Sequence, residues 1–275
     1  MNERPTLEQL QARVQKQHHR EIGNWLARRW ARPTAVYGTW LMVRLGLTAH
    51  QITALALAAA LIGAVMLGTG ERLGWIAGVG LLHLSFWLDH VDGQVARWRR
   101  SETLTGVYFD YWMHHMANLA LGFALGLGLA VREGWTGWAV AGALIAWGWA
   151  GLALHNDCRY KAVFQRLKRE SRSWRVDGGS GGRPAPAPGW PRGGPGRVRW
   201  ALLKWCEGHV VLMILTLMAV VAAVDGGGWV WAWKVYAGSM AVLAPGLAIG
   251  RLGRGVRAGV ADAEFEAWFR DPPSA

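Results

Sequence analysis

Four side chains near the middle of the sequence could together hold a divalent cation. Asp89 and Asp92 stand three residues apart, and Asp110 and His114 four apart, so each pair falls on one face of a helix. The stretch between the pairs is short, and a hairpin there would bring the two faces together. Three carboxylates and an imidazole suit an ion such as Mg2+, which takes oxygen ligands and keeps waters or phosphate oxygens in its shell. Gly93 and Ala96 are small enough for a ligand to approach the backbone closely. Arg97 adds a planar cationic fork matched to phosphate. A lone Asp at a helix end ordinarily just reaches water. A set of this size beside apolar helices is expensive to keep, and it points to function.

The elements that position these residues are membrane helices. The chain has 275 residues, of which 52% are hydrophobic and 17% charged, whereas soluble domains carry about 25% charged residues. Ile52 to Gly68 contains no charge, and Gly106 to Ala130 contains only Asp110. Runs of roughly 20 apolar residues are what a bilayer-spanning helix needs. The pattern predicts an all-α, polytopic integral membrane protein with six spans, near 52–70, 73–98, 105–131, 136–160, 199–224 and 229–251. Ahead of them, residues 1–33 read as an amphipathic helix lying in the interface, with Ile22, Trp25, Leu26 and Trp30 on its apolar face and Arg20, Arg28, Arg29 and Arg32 around it. A solvated leader helix is the other reading of this stretch. It has no apolar core followed by a cleavage site, so it is not a cleavable signal peptide.

The six spans would make one domain over residues 34–258, interrupted by a Gly/Pro-rich segment at 177–196 and followed by a polar tail at 259–275. That segment lacks the GK[ST] ending of a phosphate-binding loop, and it reads as a flexible linker. The linkers 70–72, 132–135 and 225–228 carry few basic residues, and the arginines and lysines collect on the other side. This places both termini, and the acidic cluster, in the cytoplasm. The net charge of +12 belongs to this asymmetry and does not point to nucleic acid. The 19 Trp residues fit interfacial belts. Cys158 and Cys206 lie near cytoplasmic helix ends, where no structural disulfide is expected.

Other polar groups read less sharply. Arg159 and Lys161, in the run HNDCRYK, could hold an anionic acceptor or lipid phosphate, or simply anchor the helix at the interface. Asn156 and Asp157 beside them could bind hydroxyls. Glu207 and His209 are two apart and share no helix face, although either could line a cavity. His83 and His90 share a face and suit hydrogen bonds within the bundle, whereas His115 points about 100° away from His114.

The acidic region resembles the signature of the CDP-alcohol phosphotransferases (CDP-alcohol phosphatidyltransferases), D-x2-D-G-x2-A-R-x8-G-x3-D-x3-D. Asp89, Asp92, Gly93, Ala96, Arg97, Gly106 and Asp110 fall at seven of its eight fixed positions across 26 residues, and His114 stands at the eighth. LTAHQIT, Leu47 to Thr53, also resembles the family's L-T-P-N-Q-I-T, departing at Ala49 and His50. The resemblance implies a phospholipid-synthesis transferase that moves a substituted phosphoryl group from a CDP-linked alcohol, often CDP-diacylglycerol, to an acceptor alcohol and releases CMP. It further implies that Asp89, Asp92 and Asp110 bind one or two Mg2+ or Mn2+ ions. Asp89 and Asp92, with Gly93, Ala96, Arg97 and Gly106, would form the nucleotide site, and His114 would replace the aspartate that acts as base. A homodimer in a bacterial inner (cell) membrane is expected with it, with membrane lipids as neighbours. Two other readings stay open: a catalytically silent nucleotide- or lipid-binding homologue marked by His114, and an ion-coupled transporter.

Overall fold

The motif sits on a helical hairpin whose ends are set by local capping chemistry. In the computed structural model, residues 5–14, 24–169, 175–176, 194–224 and 227–270 are described. Helix α3 (Ala49–Gly68) opens with a capping box. The Thr48 Oγ1 accepts from the Gln51 backbone N–H at 3.3 Å, and the Gln51 Oε1 accepts from the Thr48 N–H at 2.8 Å. Such reciprocal bonds satisfy donors that a helix start leaves open. Helix α4 (Arg72–Arg99) stops where Arg100 adopts a left-handed conformation, φ 51°, and α5 (Leu104–Glu133) restarts at once, with Thr103 Oγ1 accepting from Gly106 N at 3.1 Å. Four residues, 100–103, therefore reverse the chain between the two halves of the motif.

Small residues let the helices close. Gly63 on α3 faces Gly78 on α4, where a Cβ would come within 2.9 Å of the Gly78 carbonyl. Gly126 on α5 meets Gly142 on α6 (Gly137–Arg169) backbone to backbone, leaving no room for a side chain on either. Close approach at small residues is a main source of helix association where lipid removes the usual hydrophobic drive. At the end of the bundle away from the motif, Trp75, Trp229 and Trp233 are fully buried against one another, and Trp233 Nε1 donates to the Leu125 carbonyl at 3.0 Å. These three tryptophans form core, not the interfacial belt that the composition indicates.

Helices α3, α5, α6 and α9 (Gly228–Arg257) are long and apolar enough to cross a membrane. Helices α7 (Gly194–Trp205) and α8 (Gly208–Val224), bent by 63° at the break between them, make a fifth span if taken together. The described residues thus supply four or five spans against the six expected. The shortfall is α4, which has 28 residues but whose motif half is polar. The chain is an integral membrane protein by these helices.

Only part of the expected N-terminal helix falls within the described residues. Helix α1 spans Leu7–Val14, 15–23 lie outside, and a π-helical turn at Ala27–Ala31 runs into α2 (Arg32–Arg44). Helix α1 packs through Leu10 and Val14 on Val36 of α2, with Trp98 of α4 alongside. Most of the segment at 177–196 also lies outside the description, and α7 begins at its end. The tail is more structured than its polarity indicates. Helix α10 (Val260–Trp268) docks on α6 through buried Phe265, over which Arg166 stacks at 4.1 Å. A two-residue antiparallel ladder, Arg175–Val176 with Phe269–Arg270, is the one departure from all-α among the described residues.

Candidate active site

Two cavities meet at Asp89. The first, of about 380 Å3, is lined by Asp89, Asp92, Gly93, Ala96 and Arg97 from α4 and by Gly106 and Asp110 from α5. The hairpin therefore gathers all seven matching motif positions around one space. Arg32, His50 and Thr53 add polar groups from α2 and α3, and Glu102 adds a further carboxylate from the turn between α4 and α5.

The carboxylates do not play equivalent parts. His114 Nε2 lies 3.2 Å from Asp89 Oδ1 and 3.4 Å from Asp110 Oδ1. Ligand atoms of these three residues all fall within 4.8 Å of one another. Asp92, only 8% exposed, instead accepts a hydrogen bond from Thr53 Oγ1 at 2.5 Å. Of the expected ligands Asp89, Asp92 and Asp110, the structure clusters the first and third with His114 and ties the second to α3. Two carboxylates and an imidazole are a donor set that a divalent cation accepts, with carboxylate suiting Mg2+ and Mn2+ best. The glycines agree. A Cβ on Gly93 or Gly106 would meet no neighbour closer than 3.4 Å, so packing within the protein does not require glycine there. A side chain would instead take up the cavity's space.

Arg97 Nε donates to the Val14 carbonyl at 2.6 Å, and Val14 also lines the cavity. Helix α1 thus reaches the rim of the site. Gln94, inside the motif but buried, accepts from Thr39 Oγ1 at 2.8 Å and donates to the Arg32 carbonyl at 3.2 Å, fixing α2 against α4. Thr53 and Gln94 were not singled out from the sequence as site residues. Their signal there is a polar side chain on an otherwise apolar helix face, which alone is weak.

The second cavity, of about 530 Å3, lies on the other side of Asp89, deeper in the bundle. It is bounded by α4, α5, α6 and the α7–α8 break, and His114, Asn118, Glu207 and His209 face it. Here Glu207 and His209 do line a cavity, as their position allowed. Their Oε2 and Nδ1 are 3.6 Å apart, and Lys204 Nζ is 2.7 Å from Glu207 Oε1. His114 is half-exposed, at 49%.

The remaining candidates lie elsewhere. Arg159 Nε is paired with Glu264 Oε2 of α10 at 2.6 Å and lines a third, mainly apolar cavity between α6 and α9. Lys161 is exposed. The structure brings neither to Asp89. Asn156 accepts from Arg251 Nη2 at 3.0 Å, and Asp157 is bonded to His115 Nε2 at 2.7 Å. His83 and His90 are bonded within the bundle, to Thr216 Oγ1 at 2.7 Å and to the Phe86 carbonyl at 2.9 Å. Both cysteines are free.

No curated protein matches the chain significantly. Residues 46–159, from the start of α3's cap through the middle of α6, match the family model described as CDP-alcohol phosphatidyltransferase. These residues include every part of the motif hairpin. Over this stretch, which is less than half of the chain, the protein is similar to that family.

Proposed function

We propose that the protein transfers a substituted phosphoryl group from a CDP-linked alcohol, with CDP-diacylglycerol the favoured donor, to an acceptor hydroxyl, releasing CMP. The observation that carries this reading is the convergence of all seven motif residues on one cavity that shares Asp89 with a second. The first cavity takes the CDP pyrophosphate, and the second takes the acceptor.

Asp89, Asp92 and Asp110 would hold Mg2+ or Mn2+, which when bound offsets the negative charge developing on the departing CMP phosphate. Arg97 and Arg32, which line the same cavity, bind the phosphate oxygens, and Gly93, Ala96 and Gly106 give the nucleotide its room. Thr53 holds Asp92 in one rotamer by its 2.5 Å bond. His114 lines the second cavity, so it is the residue placed to serve the acceptor. The acceptor oxygen attacks phosphorus, its proton passes to the imidazole, and the bond from phosphorus to the CMP oxygen breaks. Asp89 and Asp110, at 3.2 and 3.4 Å, stabilise the imidazolium that results. A base positioned in this way contributes about 10²–10⁴-fold.

The orientation that the arginine asymmetry indicates puts this site at the cytoplasmic face, where the CDP headgroup of a membrane-held donor would project. A sixth span formed by α4 and a homodimeric assembly belong to the same proposal. The test is CMP release from CDP-diacylglycerol by the purified protein with Mg2+ or Mn2+, across a panel of alcohols. Cation-dependent CMP release that falls with His114→Ala supports the reading. Nucleotide binding without CMP release from any donor and acceptor pair would instead favour a silent homologue.

A further inference from the structure

The two cavities differ in the charge that they present, and this difference bears on which acceptor the protein uses. We infer that the acceptor is an alcohol carrying no phosphate or other anionic group, so that its class is uncharged or cationic hydroxyl compounds. The inference rests on the proposed division of donor and acceptor between the cavities, and it adds the chemistry of the second.

The first cavity contains Arg32 and Arg97, the side chains that proteins use to bind phosphate bidentately. Among its described lining residues the second contains no arginine or lysine. Its ionisable groups are Asp89, His114, Glu207 and His209, and its neutral polar groups include Asn118 and Ser85. With Asp89 given to the cation, a phosphorylated acceptor would enter facing the Glu207 carboxylate, with no arginine or lysine among the described lining residues to receive it. Lys204 is the basic side chain nearest in sequence to Glu207. It is bound to the Glu207 carboxylate at 2.7 Å and does not line the space. The start of α8 opens on the cavity and would attract an anion, but Glu207 directly precedes it and supplies one. Arg159, the cation that the sequence offers for an acceptor phosphate, is held by Glu264 at a different cavity. Amide, hydroxyl and carboxylate groups are instead what hydroxyls and amines need for hydrogen bonding. The largely apolar remainder, with Leu82 and Trp149 in its wall, accepts the carbon skeleton of such a molecule.

Cys206 lines this cavity, and it allows a test that does not depend on turnover. In the full-length Cys158→Ser protein, the rate of Cys206 alkylation by N-ethylmaleimide is followed by mass spectrometry. The probes are ethanolamine, glycerol, myo-inositol and dioctanoylglycerol on one side, and sn-glycerol 3-phosphate and inositol 1-phosphate on the other. At least one of the first group is expected to slow alkylation several-fold, and neither phosphorylated probe to do so. Protection by a phosphorylated probe, or by none of the six, overturns the inference. Should Cys206 prove unreactive, CMP release with the same probes decides in the same way: turnover only with an unphosphorylated alcohol supports it, and turnover with a phosphorylated one, or with none, overturns it. Failure of the donor reading is separable in both arms by CDP binding: its loss marks the donor site, whereas its retention with the wrong probe pattern marks the acceptor inference.

Discussion

The cavities on the two sides of Asp89 are built from different materials. The first takes its seven motif residues from one hairpin, close together in sequence at fixed spacings, and adds Val14, Arg32 and the start of α3 around them. The second draws on α4, α5, α6 and the break between α7 and α8, so its residues are scattered over more than a hundred positions. The first presents arginines together with carboxylates. The second presents carboxylates, amides and apolar surface. A nucleotide pyrophosphate is the same in every reaction of this chemistry, and a short local motif can specify its site. An acceptor varies from reaction to reaction, and the site proposed for it lies where helix packing, not motif spacing, decides what faces inward.

The comparison is broken most severely at its shared wall. Asp89→Asn touches both cavities and is expected to lower CMP release by about 10³-fold or more, the scale of losing a principal charge-stabilising group; a near-normal rate would mean that the two spaces do not work together. His114→Ala should separate the sides. It is expected to reduce the rate by about 10²–10⁴-fold while CDP affinity stays within the range of the unaltered protein. If His114 Nε2, which faces the two carboxylates, held a cation, its one hydrogen would sit on Nδ1 and no nitrogen would be left to take a proton. If His114 is a ligand, the variant's apparent affinity for Mn2+ falls instead, which titration of activity against the metal reveals.

Thr53→Val sharpens the first side alone. Asp92 is a proposed metal ligand, and removing a hydroxyl that orients such a carboxylate typically costs about 10–100-fold in metal affinity or activity, so the effect is expected in the metal titration and not in the acceptor KM. Glu207→Gln is the matching change on the second side, expected to move the acceptor KM by a small factor with CDP binding unchanged. Smallest of all is Arg159→Gln. It breaks the pair with Glu264 that ties α10 to α6, and a partly exposed ion pair contributes only about 0–1 kcal/mol. A slight loss of thermal stability with unaltered CMP release is the expected outcome, and a collapse of activity would return Arg159 to the site.

The same contrast accounts for what the sequence made legible. The motif hairpin could be read because its geometry is local: two i, i+3 or i+4 pairs and a four-residue reversal leave little freedom for where Asp89 and Asp110 meet. The capping box at Thr48 and Gln51 was visible as letters of LTAHQIT, although its role in setting where α3 begins, and hence where Thr53 falls against Asp92, was not. Whether Asp92 or His114 would join Asp89 and Asp110 depends on helix rotations of a few tens of degrees, which spacing does not fix. Arg159 illustrates the opposite limit. Its charge and place at a helix end suggested an anion site, but its partner Glu264 lies more than a hundred residues away, in a tail whose polarity concealed a docking helix. The buried tryptophans were hidden for the same reason: composition counts them, and only packing tells belt from core. The span count was limited by α4, where the residues that make the site are also those that make the helix polar.

The most direct test of the central claim is calorimetric titration of CDP into the purified, detergent-solubilised protein, with Mn2+ or Mg2+ and then with excess chelator. The account predicts binding that requires the divalent ion, disappears in Asp89→Asn and persists in Glu207→Gln. Binding that ignores the chelator, or that is lost in Glu207→Gln but kept in Asp89→Asn, would contradict the assignment of the nucleotide to the cavity of the motif.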